Sequence, residues 1–176
     1  MNFDIIKSDL YRTTGGIKFK NFMFALKHNK SFRYMFCWRI LKEENNYMLK
    51  FLIRLLFNNI ARTTGIEIPL SVQIGYGCLM VHPKNITINS NAVIGNNLTI
   101  LKGATVGSQL RGKREGSPCI GDNVYIGLNS TVVGNIKIGN NVLIAPNAYV
   151  NFRLPITVLL LEILELYMQE KGVMDI

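Results

Sequence analysis

Residues 120–150 read IGDNVYIGLNSTVVGNIKIGNNVLIAPNAYV, and their spacing decides the fold. Ile120, Ile126, Val132, Ile138, Ile144 and Val150 fall every six residues. The same period runs upstream through Ile68, Ile74, Met80 and Ile86. It slips by two residues, then resumes through Ile88, Ile94, Ile100 and Val106. A small residue often follows the aliphatic one, as at Gly75, Gly95, Gly107, Gly121, Gly127, Gly139 and Ala145. Four residues after the aliphatic comes a second apolar or small side chain, such as Cys78, Ala92, Leu98, Ala104, Val124, Val142 or Ala148. A helix repeats near 3.6 and a sheet strand at 2, so neither sustains a period of six. A solenoid of short strands does, with each hexad forming one side of a triangular coil. The aliphatic residue is expected to point into the prism. Gly and Asn are expected at the corners, where they tolerate positive φ, as at Asn96-Asn97 and Asn140-Asn141. Three phased runs argue against a β-sandwich with regular turns.

The upstream part has another character. Residues 1–62 hold twelve of the twenty basic side chains and four of the eleven acidic ones, so the net charge of +9 belongs mostly to them. Residues 3–12 predict a short helix, Thr13-Thr14-Gly15-Gly16 a break, and 46–62 a second helix closed by Thr63-Thr64-Gly65. Between them, residues 17–43 mix basic side chains with Phe19, Phe22, Phe24, Phe32, Tyr34, Phe36 and Trp38. An open solenoid end needs covering, so 1–62 is expected to be a helical cap on the first coil. Its basic and aromatic content adds an expectation of weak association with a membrane surface. No nucleic-acid-binding motif is present. MNFDIIKSDLYR lacks the apolar core of a signal peptide, and Lys50, Arg54, Glu162 and Glu165 break the longest apolar runs, so no span is expected. Cys37, Cys78 and Cys119 are scattered without a CxxC or Cys/His cluster. No metal site or disulfide framework is expected, a reducing cytoplasm fits, and Cys78 and Cys119 read as small core residues.

The hexads resemble those of the left-handed parallel β-helix of the hexapeptide-repeat acyltransferases. Within that superfamily residues 60–152 are similar to the serine acetyltransferase-like branch, which includes O-acetyltransferases of surface-polysaccharide synthesis. The implied architecture is mainly β: an N-terminal helical cap over 1–62, a β-helix over 63–152 with a basic, glycine-containing loop at 108–118, and a tail over 153–176. The tail reads as an amphipathic helix, where the family carries a last-coil segment like P-D-x-S-V-V-x-G-N-P-A. Read from Pro155 in the frame one base back, permitted codons give DYSVVIGNPGIIYARKR, so the tail is either helical or the product of a single-base deletion near Arg153.

The resemblance also implies chemistry. Acyl transfer from a thioester to a hydroxyl needs a base for the hydroxyl proton and a donor for the oxyanion. Two histidines are available. His28 reads as a surface or cap residue. His82 lies where the hexads slip register, and is the expected general base. The family motif D-I-H-P-A-A-K-I-G-R-G-I-M-L-D-H aligns with Glu67 to His82, which places Glu67 where the family has the carboxylate that orients its His. Two family contacts to serine depart: an Asp is Val81 here, and the His of R-H-P-K-I is Ser117. A site without those groups loses grip on a zwitterion. The expected acceptor is therefore a sugar hydroxyl in polysaccharide synthesis, with serine O-acetylation as the alternative and a non-catalytic trimeric scaffold as the alternative of another class. The implied acyl donor is acetyl-CoA, lying between subunits of a homotrimer, with Gly107, Gly127 and Ala145 small enough to pass its pantetheine and Lys113 or Arg114 meeting a phosphate.

Overall fold

The computed structural model describes residues 3–155, and the tail beyond, with both its helical and its frameshift reading, lies outside the described residues. Four helices come first: α1 (Phe3–Thr14), α2 (Phe19–His28), α3 (Lys30–Glu43) and α4 (Tyr47–Thr64). Asn29 and Asn46 start α3 and α4 by accepting from the Phe32 and Leu49 amides, satisfying donors that the first turn leaves orphaned. Gly65, at φ 66°, ends α4 in the left-handed conformation that favours glycine.

Twelve short strands follow in four coils. The first holds β1 (Gln73–Ile74), β2 (Leu79–Val81) and β3 (Thr87–Ile88), and the second β4 (Val93–Ile94), β5 (Thr99–Leu101) and β6 (Thr105–Gly107). The third holds β7 (Cys119–Ile120), β8 (Tyr125–Ile126) and β9 (Thr131–Val133), and the fourth β10 (Lys137–Ile138), β11 (Leu143–Ile144) and β12 (Tyr149–Val150). They stack as three parallel sheets, β1-β4-β7-β10, β2-β5-β8-β11 and β3-β6-β9-β12. This is the left-handed parallel β-helix that the resemblance implies. Every aliphatic residue of the sixfold series is buried, and Ile74, Ile94, Ile120 and Ile138 form one ladder down a sheet.

The corners correct one expectation. The glycines that follow the aliphatic residues do not take positive φ. Positive φ falls two residues later, at Gly77, Asn97, Asn123 and Asn141. What requires glycine is close approach. A Cβ on Gly75 would lie 2.5 Å from Asn96 Oδ1 and 2.7 Å from the Gly95 backbone, and Gly95 and Gly121 meet Asp122 and Asn140 in the same way. Each of those oxygens reaches one coil back: Tyr76 N–H donates to Asn96, Asn96 N–H to Asp122, and Asp122 N–H to Asn140. Alongside runs a carboxamide ladder in which Asn97 donates to Asn123 and Asn123 to Asn141.

The open end of the coil exposes backbone groups that a further strand would otherwise pair. Side chains of α1 and α3 take them instead. The Ile68 N–H donates to the Tyr34 hydroxyl, and the Trp38 indole donates to the Ile68 carbonyl at 3.1 Å. Arg39 donates to the Ile74 and Gly75 carbonyls, both at 2.7 Å, and Lys42 to the Val72 carbonyl. Asp9 accepts from the Cys78 N–H, Ser8 from Gly77 and Ser31 from Met80. Asp9 and Arg39 form a buried ion pair at 3.0 Å. Burial pushes the Asp9 carboxyl up, while Arg39 and the amide donors pull it down.

Two further readings change. Cys78 is buried and its thiol is pushed up to about 12 by burial, but Cys119 is exposed. Cys119 precedes the inward Ile120, and neighbouring strand residues face opposite ways. The coil also runs past Phe152. Leu154, 2% exposed, bridges Ile138 two residues earlier than the hexad series would place it. On the outside, Tyr47, Met48, Phe51, Leu52, Leu55 and Leu56 of α4 are exposed.

Candidate active site

The site begins with a register change. Val81 pairs with Leu101 and Ile88 with Val106, so the first coil holds two more residues at this corner than the second. The extra length is bounded by two left-handed residues, His82 at φ 51° and Asn85 at φ 50°. Left-handed backbone is uncommon outside glycine, though His and Asn tolerate it better than most residues. The bulge lifts His82-Pro83-Lys84 off the coil surface, and His82 is exposed. Beneath it, Ile86 and Ile88 are both buried, which keeps the bulge out of the prism.

The end of α2 and the start of α3 face this bulge across a cleft of about 670 Å³. His28, Lys30 and Ser31 line it from the cap, and His82 and Lys84 from the bulge. Lys102 enters from the coil beneath. His28, read from the sequence as a cap or surface residue, thus shares a cavity with His82. Lys30, Lys84 and Lys102 carried no signal in the sequence, because only the stacking of coils and the docking of the cap bring residues so far apart in the chain together.

Glu67 lies one coil above, with its backbone paired to Thr87 and its side chain exposed. No hydrogen bond or ion pair joins it to His82 among the described residues. Val81 is half-buried beside His82. Ser117 donates to Asn89 Oδ1 at 2.8 Å, and Asn89 donates to Ser108 at 3.2 Å. Its hydroxyl therefore ties the neck of the loop at 108–118 to the coil. Paired bonds between Gln109 and Gly116, each 2.9 Å, close that neck, and the tip carries Arg111, Lys113 and Arg114 into solvent.

The small residues separate into two kinds. A Cβ on Gly127 would lie 2.6 Å from the Pro146 nitrogen and 2.8 Å from the Ala145 carbonyl carbon, so the coil itself demands glycine there. A Cβ on Gly107 would meet only ordinary contacts, 3.6 Å to Val133 and 3.8 Å to Thr105. Packing within the chain does not explain Gly107.

With this geometry in view, the comparisons with known proteins are specific. Residues 120–151 match the family model described as bacterial transferase hexapeptide (six repeats). Serine acetyltransferase 2 of Arabidopsis thaliana is 32% identical over 126 residues, covering 72% of this chain and 39% of that protein. The crystal structure of Neisseria gonorrhoeae serine acetyltransferase superposes with a TM-score of 0.68 at 31% identity, covering 86% of this chain and 60% of that one. A serine acetyltransferase in complex with CoA gives 0.68 at 26% identity, covering 86% and 63%. The chain spans about two fifths of the length of the curated relatives it matches. By repeat, fold and sequence together, the chain is a hexapeptide-repeat, left-handed β-helix protein similar to the serine acetyltransferases.

Proposed function

We propose that the chain is an acetyl-CoA-dependent O-acetyltransferase with His82 as general base. The observation that carries this reading is the position of His82, on a bulge of a serine acetyltransferase-like coil and open to a cleft. Its imidazole takes the proton of the acceptor hydroxyl as that oxygen attacks the thioester carbonyl. The tetrahedral oxyanion collapses, the C–S bond breaks, and the departing thiolate of CoA recovers the proton from the imidazolium. By resemblance Glu67 orients the ring, and Gly107, Gly127, Ala145 and Lys113 hold the donor. Gly107 has the best support among these, since its own coil gives no reason for it.

The names of the relatives favour serine as the acceptor. Val81 and Ser117 favour a second reading, a sugar hydroxyl in polysaccharide synthesis. Neither side chain supplies the charge that a zwitterion needs, and Ser117 is already engaged with Asn89. Release of CoA thiol from acetyl-CoA, measured with serine and with hexose acceptors, separates the two. His82→Ala should lower transfer by about 10²- to 10⁴-fold with CoA binding retained, and Glu67→Gln should lower kcat with little change in KM. Undiminished transfer by His82→Ala would overturn the assignment.

We also propose a homotrimer with weak affinity for anionic lipid. No helix among the described residues is long and apolar enough to cross a membrane. Helix α4 nevertheless joins an exposed apolar face to Lys50, Arg54 and Arg62 and contains no acidic residue. Sedimentation with and without anionic vesicles reads both features. A mass near three times 19.9 kDa and vesicle-dependent pelleting support them, and a monomer left in the supernatant contradicts both.

A further inference from the structure

We infer that the cleft beside His82 binds an oxyanion, phosphate or carboxylate, carried by the acceptor, so that the substrate class is an anionic hydroxyl compound. The inference rests on the O-acetyltransferase reading and names its acceptor chemistry. Among the described residues five basic side chains, His28, Lys30, His82, Lys84 and Lys102, line the cleft, and no carboxylate does. None of the three lysine ammonium groups has a hydrogen-bond or ion-pair partner among the described residues. Cations gathered without a counter-ion repel one another, and an anion between them removes that cost. A free amino acid needs the opposite sign as well, a carboxylate for its ammonium group, and the described lining residues offer none.

Along this corner the charge is confined to the two coils next to the cap. The Gly103 N–H donates to the Lys84 carbonyl at 2.9 Å and the Asn129 N–H to the Lys102 carbonyl at 3.1 Å, so the two lysines stack on adjacent coils. The next residue in that column is Leu128, whose carbonyl accepts from Asn147. The corner is therefore cationic on the two coils that face the cap and apolar below. The cap adds Lys30 in the first turn of α3, a turn with no acidic side chain. A phosphate there has two sources, the acceptor or the CoA donor, and binding experiments distinguish them.

The full chain is titrated calorimetrically at low ionic strength with glucose 1-phosphate, glucuronate, glucose, serine and CoA. One sugar anion should bind at least about tenfold more tightly than glucose or serine, and the difference should shrink as salt is raised. The double variant Lys84→Ala/Lys102→Ala should lose that preference while keeping its CoA affinity. Both lysines are exposed, and an unchanged melting temperature certifies the variant's fold; Lys30→Ala serves as a second variant on a different element. Equal binding of glucose and the sugar anions, tighter binding of serine, or loss of CoA affinity with the sugar anion retained overturns the inference. Failure of the O-acetyltransferase reading is seen separately, as thioester cleavage indifferent to His82→Ala.

Discussion

Gly95 shows how a single hydrogen atom sets the pitch of the coil. A methyl group in its place would lie 2.4 Å from Asp122 Oδ1 and 2.8 Å from the Gly121 carbonyl, and both belong to the rung that the coil must keep. Gly95→Ala should destabilise the fold by about 1–3 kcal/mol, the usual range for forcing a methyl group into a filled space. Gly107→Ala, with only ordinary contacts around its Cβ, should unfold at nearly the wild-type denaturant concentration. Equal denaturation midpoints for the two variants would contradict this account of the glycines. The sequence carried the presence of these glycines but not their reason. Periodicity marks where a small residue sits, whereas the side-chain oxygen that excludes a methyl group comes from the next coil. His82 was legible by a different route: the hexads slip by two residues just beyond it, and a slip in a solenoid is a bulge. Its left-handed backbone and its cavity partners were not, because no pattern along the chain encodes contact across the cap.

At the scale of elements, α3 does more than cover apolar surface. It supplies donors and acceptors where a strand is missing, through Tyr34, Trp38, Arg39 and Lys42. Arg39 contributes most, holding two carbonyls and the buried Asp9. Arg39→Met keeps much of the volume but leaves Asp9 buried with no cation. Removing one member of a buried pair costs about 3–5 kcal/mol, and a chemical denaturation curve would show it. The double variant Asp9→Leu/Arg39→Met should recover part of the loss. A single variant as stable as the wild type would remove the ion pair from the explanation. The helices themselves were readable from Gly15-Gly16, Thr63-Thr64-Gly65 and the apolar spacing of 46–62. The division of 17–43 into α2 and α3 was not anticipated, although Asn29, which starts α3 by accepting from Phe32, is the residue type that such a start favours. The pairing of helix side chains with first-coil backbone joins residues 30 to 69 positions apart, a distance no local pattern spans.

The described residues form a prism closed at one end by a basic cap, with the His82 cleft at the junction of the two. That arrangement explains why the residues lining the cleft come from three places: the cap, the bulge and the second coil. The repeat made the fold legible, since six-residue spacing has few other physical solutions. The charge of the cleft was less legible, because Lys30, Lys84 and Lys102 come together only through the docking of the cap and the stacking of coils. All of these readings presuppose that the prism offers a groove for CoA. Calorimetric titration of the full chain with CoA and with acetyl-CoA tests that directly. Saturable binding of both, with one molecule per chain, is the expected result. A chain that folds and assembles but binds neither would contradict the enzyme reading and leave a non-catalytic scaffold in its place.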